Sequence, residues 1–204
     1  MQDVVKQGYE NGNYEEVYRN RRFLNEFEKG FFEELRLKLP IQSSVLDLGS
    51  GPGVPYDLYL VEQGFTVTGI EIAQKHLDIA KKNVPEARYV LGDFLGYPFS
   101  PEQYDGVIVL YSLFHIPRDR HGELLLKVCN LLKPKGCLLI TVGTKDTPYK
   151  EKELFCSAKM AWSFFDEATN IKMISESGFT ILKMANEKDS GSSESHLWIL
   201  AQKN

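Results

Sequence analysis

Only three cysteines occur in the 204 residues, Cys129, Cys137 and Cys156, an odd set with no Cys-x-x-Cys spacing. That speaks against a disulfide framework or a zinc site, and Cys129 and Cys137 read as small buried hydrophobes. No apolar run approaches the roughly 20 residues of a membrane span. Met1 to Tyr9 is polar and lacks the apolar core of a signal peptide, so the expected compartment is the reducing cytoplasm, with no membrane partner. Basic charge is not in excess. Lys plus Arg number 24 against 28 Asp plus Glu, a net charge of −4, so nucleic-acid phosphates would be repelled on average. The expected partner is therefore a small molecule and not nucleic acid; oligomeric state is not legible. There is no internal repeat. The only low-complexity stretch, Asp189-Ser-Gly-Ser-Ser-Glu-Ser195, reads as one flexible hairpin connection.

What is present is the patterning of one ordinary domain over residues 1–204, with 43% hydrophobic and 25% charged residues, enough to bury its own core. Phe23, Phe27, Phe31 and Leu35 recur every four residues, with Leu24, Phe32 and Leu39 beside them, and Pro40 stops the run. This spacing predicts a helical cap over residues 1–40. From Ser43 onward, short β-rich runs alternate with helical patterns. Strands are predicted at Val45–Leu48, Thr66–Ile70, Arg88–Leu91, Tyr104–Leu110 and Leu138–Val142, and helices at Pro55–Gln63, Gln74–Lys82 and Arg118–Leu132. Such alternation predicts an α/β fold, a doubly wound and mostly parallel sheet over 41–143. The charged segment within 144–165 follows the fifth strand and is expected to act as a lid. A helix at Asp166–Ser177 and two strands, Phe179–Met184 and His196–Gln202, close the chain over 166–204. With no helix between them, those two strands should pair antiparallel.

The most informative stretch is Val45-Leu-Asp-Leu-Gly49-Ser-Gly51-Pro-Gly53, a buried strand running into three alternate glycines. Glycine admits positive φ and close approach of a ligand to the backbone. The next helix begins at about Pro55, so free N–H groups face whatever fills the loop. A dinucleotide fingerprint would need a small residue where Val54 stands. Asp47 precedes the loop and needs a donor, for which a ligand amino group is suited. Glu71 ends the second strand, where a carboxylate can chelate a ribose diol. Asp93 follows the third strand within Gly92-Asp93-Phe94. Three acids at the carboxyl ends of three successive strands mark the edge where open α/β sheets bind ligands.

Asp47-Leu-Gly49-Ser-Gly51-Pro-Gly53, Glu71, Gly92-Asp93-Phe94 and the turn Lys133-Pro-Lys-Gly136 together resemble a class I S-adenosylmethionine-dependent methyltransferase. The resemblance runs from about Tyr14 to the C-terminus. It implies a seven-stranded sheet with an antiparallel last strand and S-adenosylmethionine as cofactor. It further implies that Gly49, Gly51 and Gly53 back the methionine moiety. Glu71 would hold the ribose hydroxyls and Asp93 the adenine amino group, with Ile72 and Phe94 flanking the base. Tyr14 and Tyr18, one helical turn apart, would close over the cofactor, and Leu110 completes that set.

Methyl transfer needs little protein chemistry beyond alignment and exclusion of water, and a base only when the acceptor is protonated. His115, in Tyr111-Ser-Leu-Phe-His-Ile-Pro117 after the fourth strand, is the candidate catalytic base. Tyr111, Trp162 and His196 are candidates for touching the acceptor. His76 and His121 lie beside charged neighbours and read as surface residues, as do Arg19, Arg21, Arg22 and the Arg118–His121 cluster. No metal ligands are expected. Leu110-Tyr-Ser-Leu is not the Asn/Asp-Pro-Pro-aromatic motif of amino-group methylation on DNA bases or protein glutamine, and no Pro-Cys nucleophile is present. A small soluble acceptor is expected by elimination. Two competing readings are a nicotinamide-dependent oxidoreductase, disfavoured by Val54 and by the lack of a Tyr-x-x-x-Lys pair after the fourth strand, and a non-catalytic cofactor-binding sensor or partner subunit.

Overall fold

The structure is a computed structural model that describes residues 1–18, 23–187 and 195–204, with the backbone alone at Tyr18. Arg19, Arg21 and Arg22, and the serine-rich connection up to Glu194, lie outside the described residues. In chain order the elements begin with α1 (Gln2–Asn11), α2 (Tyr14–Tyr18), α3 (Glu26–Lys38), β1 (Ser44–Leu48), α4 (Tyr56–Glu62) and β2 (Thr66–Glu71). Next come α5 (Gln74–Asn83), β3 (Arg88–Leu91), β4 (Tyr104–Val109), α6 (His121–Leu131) and β5 (Leu132–Gly143). The chain continues with β6 (Thr147–Phe155), β7 (Ala158–Phe164), α7 (Glu167–Glu176), β8 (Phe179–Asn186) and β9 (His196–Lys203).

Among the described residues, seven strands form one sheet in the order β3-β2-β1-β4-β5-β9-β8. Every neighbouring pair from β3 to β5 is parallel, and β9 runs antiparallel to both β5 and β8. The last strand thus enters between β5 and β8, which satisfies the backbone of a strand buried at five successive positions, Leu197–Ala201. β1 and β4 occupy the centre with Val45, Leu46, Leu48, Val107, Ile108 and Val109 fully buried, the pattern of strands covered on both faces.

One face carries α6 and α7, through Leu124, Leu125, Val128 and Ile174. The other carries α3, through Phe31, Phe32 and Leu35 against Trp198, Tyr56 and Leu139. Each such apolar side chain contributes about 1.5–3 kcal/mol on burial. Helix α3 starts in a capping box: Asn25 Oδ1 accepts the Glu28 N–H and Glu28 Oε2 accepts the Asn25 N–H, each at 2.9 Å. The second oxygen of Glu28 accepts the buried Tyr56 hydroxyl at 2.8 Å, tying the cap of α3 to α4.

Two expectations need correction. Among the described residues of the N-terminal 40 there are three helices, the first ending at Gly12-Asn13 and the third starting at its cap Asn25, where caps compete with helix propagation. Residues 147–164 form a two-stranded hairpin whose second strand buries Met160, Ala161, Trp162 and Ser163. That strand packs on α1, so the segment braces the cap instead of standing free as a lid.

Candidate active site

A cleft of about 730 Å³, its mouth included, opens at the carboxyl ends of β1, β2 and β4, with α1 and α2 across it. Its wall takes Gly49, Ser50 and Gly51 from the glycine loop, Glu71 and Ile72 after β2, Asp93 and Phe94 after β3, and Leu110, Tyr111, Ser112 and His115 after β4. Gln2, Val5 and Tyr9 of α1, with Tyr14 of α2, supply the cover. Most of the residues expected from the resemblance therefore meet in one cavity.

The loop folds as it does because a Cβ on Gly49 would stand 2.6 Å from Ser112 Cβ, so any side chain there would push away the segment that follows β4. A Cβ on Gly51 would meet nothing within 4 Å, but its φ of +54° disfavours most side chains and leaves an open cradle. Glu71 holds the cradle from below: Oε2 accepts the Gly51 N–H and Oε1 the Ala73 N–H, both at 2.8 Å. A carboxylate oxygen has two lone-pair sites, so each still has capacity for a ligand hydroxyl. Asp93 is placed by its own turn, Oδ1 accepting the Leu95 N–H at 3.0 Å, while Oδ2 accepts the Gln2 amide at 2.8 Å.

Asp47 and Gly53 differ from expectation. Neither lines the cleft. Asp47 is buried beside Asp57 on α4, and Asp57 Oδ2 accepts the Tyr89 hydroxyl at 2.9 Å. Burial raises the Asp57 carboxyl to about 7, and its contacts with Asp47 and the Tyr89 hydroxyl oppose the rise. The same burial, with Asp57 beside it, pushes the Tyr89 phenol up. A Cβ on Gly53 would stand 2.5 Å from that phenol. Both residues support the loop from behind.

His115 is buried after β4 with both ring nitrogens engaged. Nδ1 lies 3.0 Å from the Ala161 carbonyl oxygen and Nε2 lies 2.7 Å from the Tyr9 hydroxyl. Burial pushes its pKa down to about 4; the Ala161 carbonyl opposes this and His196 adds to it. The imidazole is thus neutral, and since a carbonyl can only accept, the proton sits on Nδ1 and Nε2 accepts from Tyr9.

Tyr9 escaped the sequence reading. Its signal was the i, i+3, i+7 spacing of Gln2, Val5 and Tyr9, which share one face of α1. His76 and His121 also correct the reading: both are buried, at 1% exposure. His76 lines the cleft under Tyr9 and Tyr14, and His121 is held near pKa 4 by burial. Charged sequence neighbours misled because they sit on the outer faces of the same helices.

Trp162 does not reach the wall; it packs edge-on to Phe155 and backs His115 at 6.0 Å between ring centroids. His196 lies in a neighbouring groove, against Tyr111 and Phe114. Tyr111 itself is on the wall, with φ +56° and its hydroxyl donating to Glu187 at 2.6 Å. The side chain of Tyr18 lies outside the described residues.

The family model described as a methyltransferase domain matches residues 45–136. That span holds the glycine loop, Glu71, Asp93 and His115. Residues 45–136 thus match a methyltransferase domain, set on the class I fold. Among curated proteins this domain is 32% identical over 114 residues to an uncharacterized methyltransferase of Geobacillus sp. strain WCH70, covering 55% of this chain and 51% of the relative. The chain spans about half the length of the curated relatives it matches first. Among solved structures the methyltransferase fold is shared with a SAM-dependent methyltransferase of Methanosarcina mazei, with TM-score 0.72 and 18% identity, covering 88% of this chain and 98% of that one. It is shared also with the 1,6-didemethyltoxoflavin-N1-methyltransferase of Burkholderia thailandensis, solved with S-adenosylhomocysteine bound. That match has TM-score 0.71 and 21% identity, covering 97% of this chain and 84% of that one.

The methyltransferase domain fits its class cofactor, S-adenosylmethionine, on its own geometry. The open cradle at Gly51 admits a chain without steric conflict. Glu71 and Asp93 offer acceptors for hydroxyl and amino donors, and Ile72 and Phe94 stand beside them on the same wall. No helix among the described residues is long and apolar enough to cross a membrane.

Proposed function

We propose that the chain is a methyltransferase that uses S-adenosylmethionine to methylate a small-molecule acceptor. The observation that carries this reading is the convergence of Gly51, Glu71 and Asp93 on one covered cleft. In this reading Glu71 accepts both ribose hydroxyls, Asp93 accepts the adenine amino group, and Ile72 and Phe94 hold the base between them. Gly49 and Gly51 back the methionine chain, and Leu110, Tyr14 and Tyr18 close around it. The cofactor supplies an activated methyl group, so the protein's part is alignment and removal of water. Val5 and the Tyr9 and Tyr14 rings shield the cleft from solvent. Tyr111, on the wall, meets the acceptor, with Trp162 and His196 behind it.

The small acceptor is supported by the cover, since α1 leaves a narrow space that would have to open wide for a polymer. A single domain in the reducing cytoplasm fits the three free thiols. Titration calorimetry with S-adenosylhomocysteine and with NADH tests the cofactor, and release of labelled product in a metabolite pool tests the transfer. Binding of NADH without S-adenosylhomocysteine would overturn the reading. Tight binding of S-adenosylhomocysteine with no transfer to any pool would leave a sensor or partner subunit.

A further inference from the structure

We infer that Tyr9 and His115 form a proton-accepting pair for the methyl acceptor, and that this acceptor is an uncharged compound presenting a hydroxyl group. The inference rests on the methyltransferase reading above. The chain of contacts is continuous: the Ala161 carbonyl accepts from Nδ1 at 3.0 Å, and Nε2 accepts from the Tyr9 hydroxyl at 2.7 Å. Both side chains line the cleft. A base oriented by a third group, with its hydroxyl-bearing partner on the wall of the cleft, is the arrangement that activates nucleophiles generally.

The step balances as follows. The acceptor oxygen forms its bond to the methyl carbon, and the carbon–sulfur bond breaks with its electron pair left on sulfur. The hydroxyl proton passes to Tyr9 Oη, and the proton Tyr9 held passes to His115 Nε2. The imidazolium that results keeps its Nδ1–H on Ala161. Nothing is oxidised or reduced.

Acceptor chemistry follows from how weak this base is. Burial holds His115 near pKa 4, so it does not ionise a resting alcohol. An oxygen gaining a methyl group becomes oxonium-like and far more acidic than an imidazolium, so the proton then moves downhill. A methylated amine keeps its proton, with a pKa near that of lysine, about 10. The pair therefore suits oxygen and not an alkylamine. No Lys or Arg stands on the cleft wall among the described residues. A carboxylate or phosphate acceptor would be desolvated there without a counter-charge.

The test uses the full chain with methyl-labelled S-adenosylmethionine and three acceptor sets: neutral phenols and alcohols, alkylamines, and carboxylates. Calorimetry with S-adenosylhomocysteine and ¹⁵N-histidine NMR accompany it. Methylation is expected in the hydroxyl set alone. Tyr9→Phe and His115→Gln should each lower turnover by about 10²-fold, the lower end for general acid–base catalysis. The double variant should lose little more, and affinity for S-adenosylhomocysteine should stay within about threefold in each, an allowance for the small repacking expected of an uncoupled site. The spectrum should show the His115 proton on Nδ1. Turnover of Tyr9→Phe within threefold of the parent would overturn the pair, as would a proton on Nε2 or an equal loss of turnover and affinity. Methylation of amines or carboxylates instead would overturn the acceptor class. If S-adenosylhomocysteine binds and no hydroxyl compound is methylated, this inference falls and the cofactor reading stands. If it does not bind, the cofactor reading itself falls.

Discussion

Glu71 accepts one backbone N–H on each oxygen, so Glu71→Ala frees two buried donors at once. Hydrogen bonds to a charged acceptor contribute about 1.5–3 kcal/mol each, so urea denaturation should show a loss of about 2–4 kcal/mol after partial rehydration. The same variant should weaken S-adenosylhomocysteine binding by about one to three powers of ten. Sequence reasoning expects an acid that holds a ribose diol; the structure makes it also a tie between the glycine loop and the turn after β2. Asp57 gives the opposite kind of residue prediction. Its folded pKa is raised, so it holds a proton that the unfolded chain releases above about pH 4. Stability from this group is present at low pH and lost as pH rises through the folded value. Asp57→Asn, which mimics the protonated form, should therefore gain stability relative to the parent as pH rises from 5 to 8. Urea midpoints at several pH values check this, and a constant difference would contradict it.

At the scale of elements, α1 owes its position to Gly8. A Cβ on Gly8 would stand 2.5 Å from the Lys159 carbonyl oxygen on β7. Alanine should favour the isolated helix by about 1 kcal/mol, yet Gly8→Ala should lift α1 off β7 and carry Tyr9 away from His115. The expected outcome is at least tenfold weaker S-adenosylhomocysteine binding and faster amide exchange in α1; unchanged binding would show that α1 is not the cover. The parallel strands and the glycine loop were readable because their local pattern and their tertiary role coincide. β1, β2 and the acids at their ends are set by short-range chemistry, namely apolar runs, a turn and a helix start. The cap was not. Whether Tyr9, His76 or Trp162 faces a ligand, a partner ring or the core depends on a packing 47 to 106 residues away in the chain, and an aromatic looks the same in each case. Asp47 shows the same limit: its place in the motif is plain, but its partner Asp57 is fixed by how α4 returns across the strand.

For the whole molecule, three buried groups set the acid side of the stability curve. His115 and His121 are held near pKa 4 by burial, against about 6.5 when unfolded. Their stability is present above pH 6.5 and lost as pH falls toward 4. Asp57 runs the other way over the same window. At pH 5.5 the unfolded chain should bind about one proton more than the folded one, two from the histidines less one for Asp57. The unfolding free energy should then rise by about 1 kcal/mol per pH unit between pH 4.5 and 6, and about twice as steeply in Asp57→Asn. Calorimetry in buffers of different ionisation enthalpy measures that proton count directly, and a slope of opposite sign would show that the histidines titrate normally.

Contacts that close the cap also bear on molecular choice. Gln2 already donates its amide to Asp93, at the oxygen the proposed reading offers to a nucleobase amino group. Asp93 therefore has a donor before any nucleoside arrives, and in the proposed reading a remaining lone-pair site takes the amino group beside Gln2. Discrimination arises where the wrong ligand strands a buried partner; here a ligand lacking the amino group leaves Asp93 with Gln2. The chain should accept the inosine analogue of S-adenosylhomocysteine with little penalty, and Gln2→Ala, which removes the substitute donor, should sharpen the preference for adenine. In the proposed reading the N-terminal helix thus acts as the buffer that makes the site tolerant of other bases.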